Sequence, residues 1–304
     1  MADVAAEQAR PIERVRGAGL EKALPYLFLA PALLLVLAVI AYPLIRGFQI
    51  STEFYRFGRP LRSVGLDNYR EAWNDKVFRA AVWTTIKYVF FAVLFETVLG
   101  LGLAMLCVKE LPFIRAVRLV LIIPMIVTPV IVGLVFRLMY ASDVGLLTIV
   151  SHRLGGQEIG LLSGETSAFW AIVALDVWEW TPLMFLILLA GLQSMPQEPF
   201  EAAKVDGASS WRTFLDHTLP LLKPVLAVAI VLRTLDAFTT FDQIYVLTQG
   251  GPGTSTQLVS YYGYDMFFRF QRYGFAAAML IMFALVLLAF SALAVRMLRR
   301  MNTG

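Results

Sequence analysis

One cysteine, Cys107, and two histidines, His152 and His217, are the whole supply of those residues in 304. A single cysteine cannot close an intramolecular disulfide. No His/Cys cluster has metal-ligand spacing, which argues against a metalloenzyme or a redox protein. Charge is scarce too, at 16% of residues, where a soluble domain carries about a quarter. No glycine-rich phosphate loop with a following Lys-Ser/Thr is present, so the chain cannot hydrolyse ATP itself. Heptads, low-complexity tracts and a convincing internal repeat are all missing. An intramembrane enzyme would need a nucleophile–base or metal arrangement, and the two histidines are expected in loops on opposite sides of the membrane.

What the chain has instead is apolar surface. Hydrophobic residues make up 59% and mean hydropathy is +0.70, more than a soluble core of this size can hide. Six stretches are long enough to cross about 30 Å of hydrocarbon as helices of roughly 20 residues, at about 24–45, 80–107, 117–139, 168–192, 221–241 and 275–298. The expected fold is therefore an all-α membrane protein of six transmembrane helices. It has a basic N-terminal segment, 1–23, and one transmembrane domain, 24–304. The first apolar run follows Arg10, Arg14, Arg16 and Lys22 and reads as a retained span, being longer than a cleavable signal and lacking a small-x-small exit. Pro31, Pro124, Pro129 and Pro182 fall within spans, where packed neighbours can satisfy the freed carbonyls.

Net charge is +4 with pI near 9.2. The basic residues lie in short segments between apolar runs, a pattern of membrane topology and not of a nucleic-acid groove. Lys/Arg bias places the N-terminal segment, the 108–118 loop (Lys109, Arg115, Arg118), the 193–223 loop (Lys204, Arg212, Lys223) and the tail (Arg296, Arg299, Arg300) in the cytoplasm. Both termini would then be cytoplasmic. Residues 46–79, with seven Lys/Arg from Arg46 to Arg79, argue the other way.

The polar interlude between the fourth and fifth spans is the most informative stretch. It contains Glu201-Ala202-Ala203-Lys204-Val205-Asp206-Gly207-Ala208 and runs through Phe214 to Leu219-Pro220 and Pro224. Small residues favour a short helix, Gly207 permits a left-handed turn, and a second short helix starts at about Ser209. Pro220 and Pro224 mark the approach to the next span. Such a helix-turn-helix, with small residues on its surface, suits insertion into a partner's groove.

This string resembles the EAA loop of the permeases of binding-protein-dependent ABC importers, with Glu-Ala-Ala, Asp-Gly-Ala and a distal Leu-Pro in order; His217 stands where the family more often has an apolar residue. Phe241-Asp242-Gln243-Ile244-Tyr245-Val246-Leu247-Thr248-Gln249-Gly250-Gly251-Pro252, then Thr256 and Tyr261-Tyr262-Gly263-Tyr264, resembles the corresponding segment of carbohydrate-uptake permeases. There Gly250-Gly251-Pro252 can make a tight reversal. Leu66-Asp67-Asn68-Tyr69 is a weaker third match. The resemblance covers about residues 24–298 and is closest to maltose-permease-like chains. It implies a type I importer fold in the bacterial inner membrane, with a cytoplasmic coupling helix in which Glu201, Ala202, Ala203, Asp206 and Gly207 meet an ATPase. The implied partners are a second permease, an ATPase dimer that uses ATP and Mg, and an extracytoplasmic sugar-binding protein. No cofactor is expected on this chain.

Ionisable groups within spans are costly and are functional candidates by default. Asp176 and Glu179 lie beside Trp178 and Trp180, while Arg233 and Asp236 share a face three residues apart, ahead of Thr239, Thr240 and Phe241. Aromatic faces, carboxylates and hydroxyls are the groups that bind sugars. The resemblance implies a substrate path at Glu179, Trp180, Leu183, Asp236, Ala237 and Thr240. Arg233–Asp236 is either an internal ion pair or a substrate contact, and Glu96 and Lys87 read as structural partners or as lying near an interface. A polyol, glycerol phosphodiester or amino sugar is the alternative solute. An ion-coupled secondary transporter using Asp176, Glu179 or Asp236 is the distant alternative, though such proteins carry twofold repeats and a whole path in one chain.

Overall fold

The structure, a computed structural model, describes residues 18–56, 58–108 and 113–302. Arg10, Arg14, Arg16 and Lys109 lie outside the described residues, as do the side chains of Lys22 and Arg300. The chain divides into two units, after Gln49. The first unit holds most of helix α1 (Ala18–Ser51), which contains Pro25, Pro31 and Pro43. Its sequence is apolar on every side, as lipid-facing helices are, and it outruns the expected 24–45 at both ends.

The second unit opens with a hairpin of β1 (Glu53–Arg56) and β2 (Arg59–Ser63), then α2 (Asp67–Asn74). Asn68, from the third sequence match, donates to the backbone carbonyls of Ser51 at 2.8 Å and Glu53 at 3.1 Å, so that segment ties the hairpin to α2. Helix α3 (Lys76–Cys107) begins at Asp75, whose carboxylate accepts the Phe78 backbone N–H as an N-cap. Tyr262 donates to the same carboxylate at 3.3 Å; burial, reinforced by the Asp75 charge, pushes its phenol up to about 12.

The core is built where α3 packs along α7 (Glu165–Gln193). Gly100 makes this approach close: a Cβ there would sit 2.8 Å from Met184 Cβ and 2.9 Å from the Phe185 backbone nitrogen. Small residues at such crossings let helices pack without an aqueous hydrophobic drive. Tyr88, Val89, Ile172, Leu175, Ile244 and Tyr261 form the buried centre of the largest cluster.

The third span is not the continuous helix expected over 117–139. It is α4 (Ile114–Ile126) and α5 (Pro129–Met139), bent by 94°. Thr128 precedes Pro129 and is extended (ψ 134°), because a proline clashes with an α-helical predecessor. Helix α6 (Leu146–Arg153) carries His152, which is helical and not in a loop.

Between the fourth and fifth spans come α8 (Glu198–Val205) and α9 (Ser210–Thr213). The chain then widens into a π turn over Phe214–Thr218, which holds His217, and continues directly as α10 (Leu219–Ala237). The fifth span is thus one helical run from Ser210 to Ala237. It starts before the expected residue 221 and ends before 241, with Pro220 and Pro224 inside it and not at its approach. After a break come α11 (Asp242–Leu247), α12 (Val259–Tyr264), a second π turn at Asp265–Arg269, and α13 (Tyr273–Asn302), which contains the expected sixth span. Among the described residues five helices are long and apolar enough to cross a membrane, or six when the bent pair counts as one.

The expected reversal at Gly250-Gly251-Pro252 is present. Gln249, Gly250 and Gly253 take left-handed φ of 52°, 82° and 60°, and Gly251–Pro252 is cis. Thr256, fully buried, holds the turn by donating to the Gly251 carbonyl at 2.8 Å, and its hydroxyl lies 2.7 Å from that of Thr248.

Candidate functional site

Two interruptions of helix meet at one pocket. Pro129 at the 94° bend and the Thr239–Phe241 break after α10 both line a cavity of about 190 Å³, together with Trp180, Asp236, Asp242 and Gln243. Irregular backbone at membrane depth is tolerated where it is buried in protein or faces a water-filled cavity, because lipid offers no hydrogen bonds. Part of the freed backbone is paired within the protein: Thr239 N–H donates to the Asp236 carbonyl at 2.9 Å, Thr240 N–H to the Ala237 carbonyl at 3.3 Å, and Ser260 Oγ to the Thr240 carbonyl. The wall combines an indole, a phenyl ring, two carboxylates, two hydroxyls and an amide, the mixture that suits a polyhydroxylated ligand.

Behind the wall lies a buried charge cluster. Arg233 from α10 is fully enclosed, and so are Glu96 from α3 and Asp176 from α7. Arg233 Nε and Nη2 donate to the two Glu96 oxygens at 2.7 and 3.0 Å, and Nη2 also donates to Asp176. Nη1 donates outward to Asp236 at 2.9 Å, whose side chain is 51% exposed. The expected Arg233–Asp236 pair exists, but as one arm of a four-residue network. Glu96, read as a structural partner, is paired with Arg233. Lys87 instead holds its Nζ 5.4 Å from the Phe169 ring centroid.

Of the six residues expected on the substrate path, Trp180, Asp236 and Thr240 line the pocket. Glu179 is buried and accepts from the Gln243 amide; Ala237 is fully buried; Leu183 is half-buried and does not line the pocket. Trp178 packs against Phe136 with ring centroids 5.2 Å apart. Thr239 and Phe241, named beside Asp236 in the sequence, line the pocket as well. Pro129, Asp242 and Gln243 line it without being expected on the path, although the Phe-Asp-Gln string directly follows the paired threonines.

The other candidate region, 198–218, is shaped by local rules. Helix α8 opens with Glu198 and Glu201 in its first turn and carries Lys204 in its last, charges that complement the helix dipole. It ends in a Schellman pair, Gly207 N–H to the Lys204 carbonyl at 3.1 Å and Ala208 N–H to the Ala203 carbonyl at 2.9 Å. Gly207 takes the left-handed φ of 73° that the motif requires. The Ser209 hydroxyl then caps α9, accepting from Arg212 N–H at 3.3 Å. Glu201, Ala202, Asp206 and Gly207 are exposed, while Ala203 is buried. Val205 and Trp211 stand out at 88% and 69% exposure, apolar side chains offered outward.

Comparison with known proteins converges on one group. Residues 97–303 match the family model described as binding-protein-dependent transport system inner membrane component. The chain is 39% identical to the trehalose/maltose transport system permease protein of Thermococcus litoralis, over 89% of this chain and 92% of that one. It is 37% identical to the sulfoquinovosyl glycerol transport system permease protein of Agrobacterium fabrum, over 87% of each. Its fold is similar to that of a chain in a bacterial alginate ABC transporter in complex with an alginate pentasaccharide-bound periplasmic protein, with a TM-score of 0.82 over 94% of this chain and 97% of that chain, at 23% identity. Multi-pass and built on the importer-permease fold, the chain belongs to the inner membrane components of binding-protein-dependent transport systems.

Proposed function

We propose that this chain forms half of the sugar path of an ATP-driven importer, with Trp180, Asp236, Thr240 and Gln243 on the wall that a sugar passes. The observation that carries the proposal is the meeting of two helix breaks at a pocket lined by rings, hydroxyls and carboxylates. Similarity to permeases named for trehalose/maltose and sulfoquinovosyl glycerol supports a carbohydrate as the solute. The partners in this reading are a second permease, an ATPase pair that binds ATP and Mg, and an extracytoplasmic binding protein that delivers the sugar. Both termini and the 198–218 loop face the cytoplasm, following their Lys/Arg content.

Coupling in this reading runs through that loop. The ATPase pair closes on ATP and moves α8, with the exposed Glu201, Ala202, Asp206 and Gly207 at the contact and Ala203, which is buried, supporting the helix from within. Because Ser210–Ala237 is one helical run, displacement at its start is carried to Asp236 at its other end. ATP then shifts the population between outward- and inward-open states only through contacts that differ between them.

Reconstitution in proteoliposomes tests the proposal. The four-component complex should take up labelled oligosaccharide only with ATP inside and the loaded binding protein outside. Glu201→Lys or Gly207→Phe should abolish uptake while the variant chain still inserts at the wild-type level. Normal uptake by inserted Gly207→Phe would remove the docking role. Uptake by this chain alone under an ion gradient would overturn the importer reading.

A further inference from the structure

We infer that Arg233 is a positioning residue for sugar binding, its one buried guanidinium holding both the Trp180 ring and the Asp236 carboxylate on the pocket wall. This rests on the reading of that pocket as the sugar path.

The geometry is specific to arginine. The inner edge of the fork is fixed by two other helices, through Glu96 on α3 and Asp176 on α7. The remaining nitrogen, Nη1, is offered to Asp236, the only one of the three carboxylates that lines the pocket. The guanidinium carbon also lies 5.2 Å from the Trp180 ring centroid, within cation–π range. A single planar group thus orients an aromatic from α7 and an acid from α10 against a frame anchored in α3. A lysine ammonium is a compact point charge that lacks this fork and cannot stack.

The charge count makes the Asp236 arm exchangeable. One guanidinium faces three carboxylates, and Asp236 alone among them is open to solvent. When a sugar hydroxyl takes the Asp236 oxygen, Arg233 keeps Glu96 and Asp176 and is not stranded. The site therefore binds and releases its ligand without exposing or orphaning the buried cation. Arg233 acts through its neighbours and does not touch the sugar.

The test uses the reconstituted four-component complex and reads sugar transported per ATP hydrolysed. A residue that only supports the fold would move assembly and ATP hydrolysis together, leaving that ratio intact. Arg233→Lys, which keeps the charge, should assemble, and sugar per ATP should fall by up to about a hundredfold, the loss that a contact group misplaced by about 1 Å can cause. Asp176→Asn, which takes the charge from an anchor that does not line the pocket, should lower the same ratio. Asp236→Asn should lower it in the wild type but add little in the Arg233→Lys background, since residues that act as a unit are non-additive. An unchanged ratio in both assembled variants, or fully additive losses, overturns the positioning role. If Arg233→Lys does not assemble, Asp176→Asn decides, and failure of both to assemble makes the cluster a folding element and overturns the proposal. Absence of ATP-driven uptake by the wild-type complex is a separate outcome, which strikes the importer reading itself.

Discussion

The buried charge cluster and the 198–218 loop are both polar islands in an apolar chain, yet opposite forces hold them. In the cluster, Glu96, Asp176 and Arg233 come from three helices, and each is fully enclosed by the packing of the others. Their bonds to one another run between helices, so the cluster's order depends on the whole bundle. In the loop, the determining bonds run between neighbours in sequence: Gly207 to Lys204, Ala208 to Ala203, Arg212 to Ser209. The loop carries its shape with it and leaves its surface unpartnered, with Val205 88% exposed. A site built from non-local contacts suits a fixed wall. One built from local contacts suits a part that moves as a unit and presents itself to another protein.

The sharpest way to break this contrast is to remove the cation. Arg233→Met leaves Glu96 and Asp176 as buried carboxylates facing each other, and losing one partner of a buried ion pair costs about 3–5 kcal/mol. Thermal unfolding of the detergent-solubilised chain should show a large fall in midpoint, or no folded protein at all. A midpoint within a degree or two of wild type would mean that the cluster is wetter and weaker than its enclosure indicates.

Gly100→Ala probes the same region by volume alone. The added methyl meets Met184 Cβ at 2.8 Å and the Phe185 backbone at 2.9 Å, neither of which is a flexible chain end. Overpacking of this kind costs about 1–3 kcal/mol. The same assay should rank it below Arg233→Met and above any change in the loop. Equal tolerance of Gly100→Ala and a loop alanine would dissolve the distinction between the regions.

How much of each region is legible in the sequence follows from the same difference. The first half of the loop is legible nearly to the residue, since glycine at a left-handed C′ position, acids in a first turn and a serine N-cap are local signals, whereas the unbroken run of its second helix through Pro220 and Pro224 into the fifth span is not. The Arg233–Asp236 pair is legible because three-residue spacing puts both on one face. That Arg233 also grips Glu96, 137 residues away, is not, since nothing in the spacing of two distant spans specifies which faces meet. For the same reason Ala237 turns out to be buried and Leu183 to lie off the pocket, although neighbours on the same helices line it. The break in the third span is half legible: Pro129 is visible, but a proline in an apolar run is tolerated in some helices and bends others by 94°. Packing decides which.

Within the loop, Gly207→Ala isolates backbone strain. Open space surrounds the glycine, so an added methyl clashes with nothing, and the penalty is the left-handed φ of 73° alone. That is about 1–2 kcal/mol, and it should appear as local fraying of α8 in hydrogen exchange with little change in the global midpoint.

Ser209→Ala is the mildest change and the most discriminating about autonomy. The serine hydroxyl accepts one N–H of a four-residue helix, and loss of such a cap costs about 0.5–2 kcal/mol. Because α9 runs without a break through the Phe214–Thr218 turn into α10, fraying at Ser209 has two possible fates. If the loop is self-contained, hydrogen exchange should quicken over 209–213 only, and protection in α10 should be unchanged. If loosening spreads beyond Thr218 toward Arg233, the loop and the buried cluster belong to one cooperative element. Motion at the exposed end of this helix would then be felt at the pocket through the length of α10, and the two regions would differ in how they are built but not in how they respond.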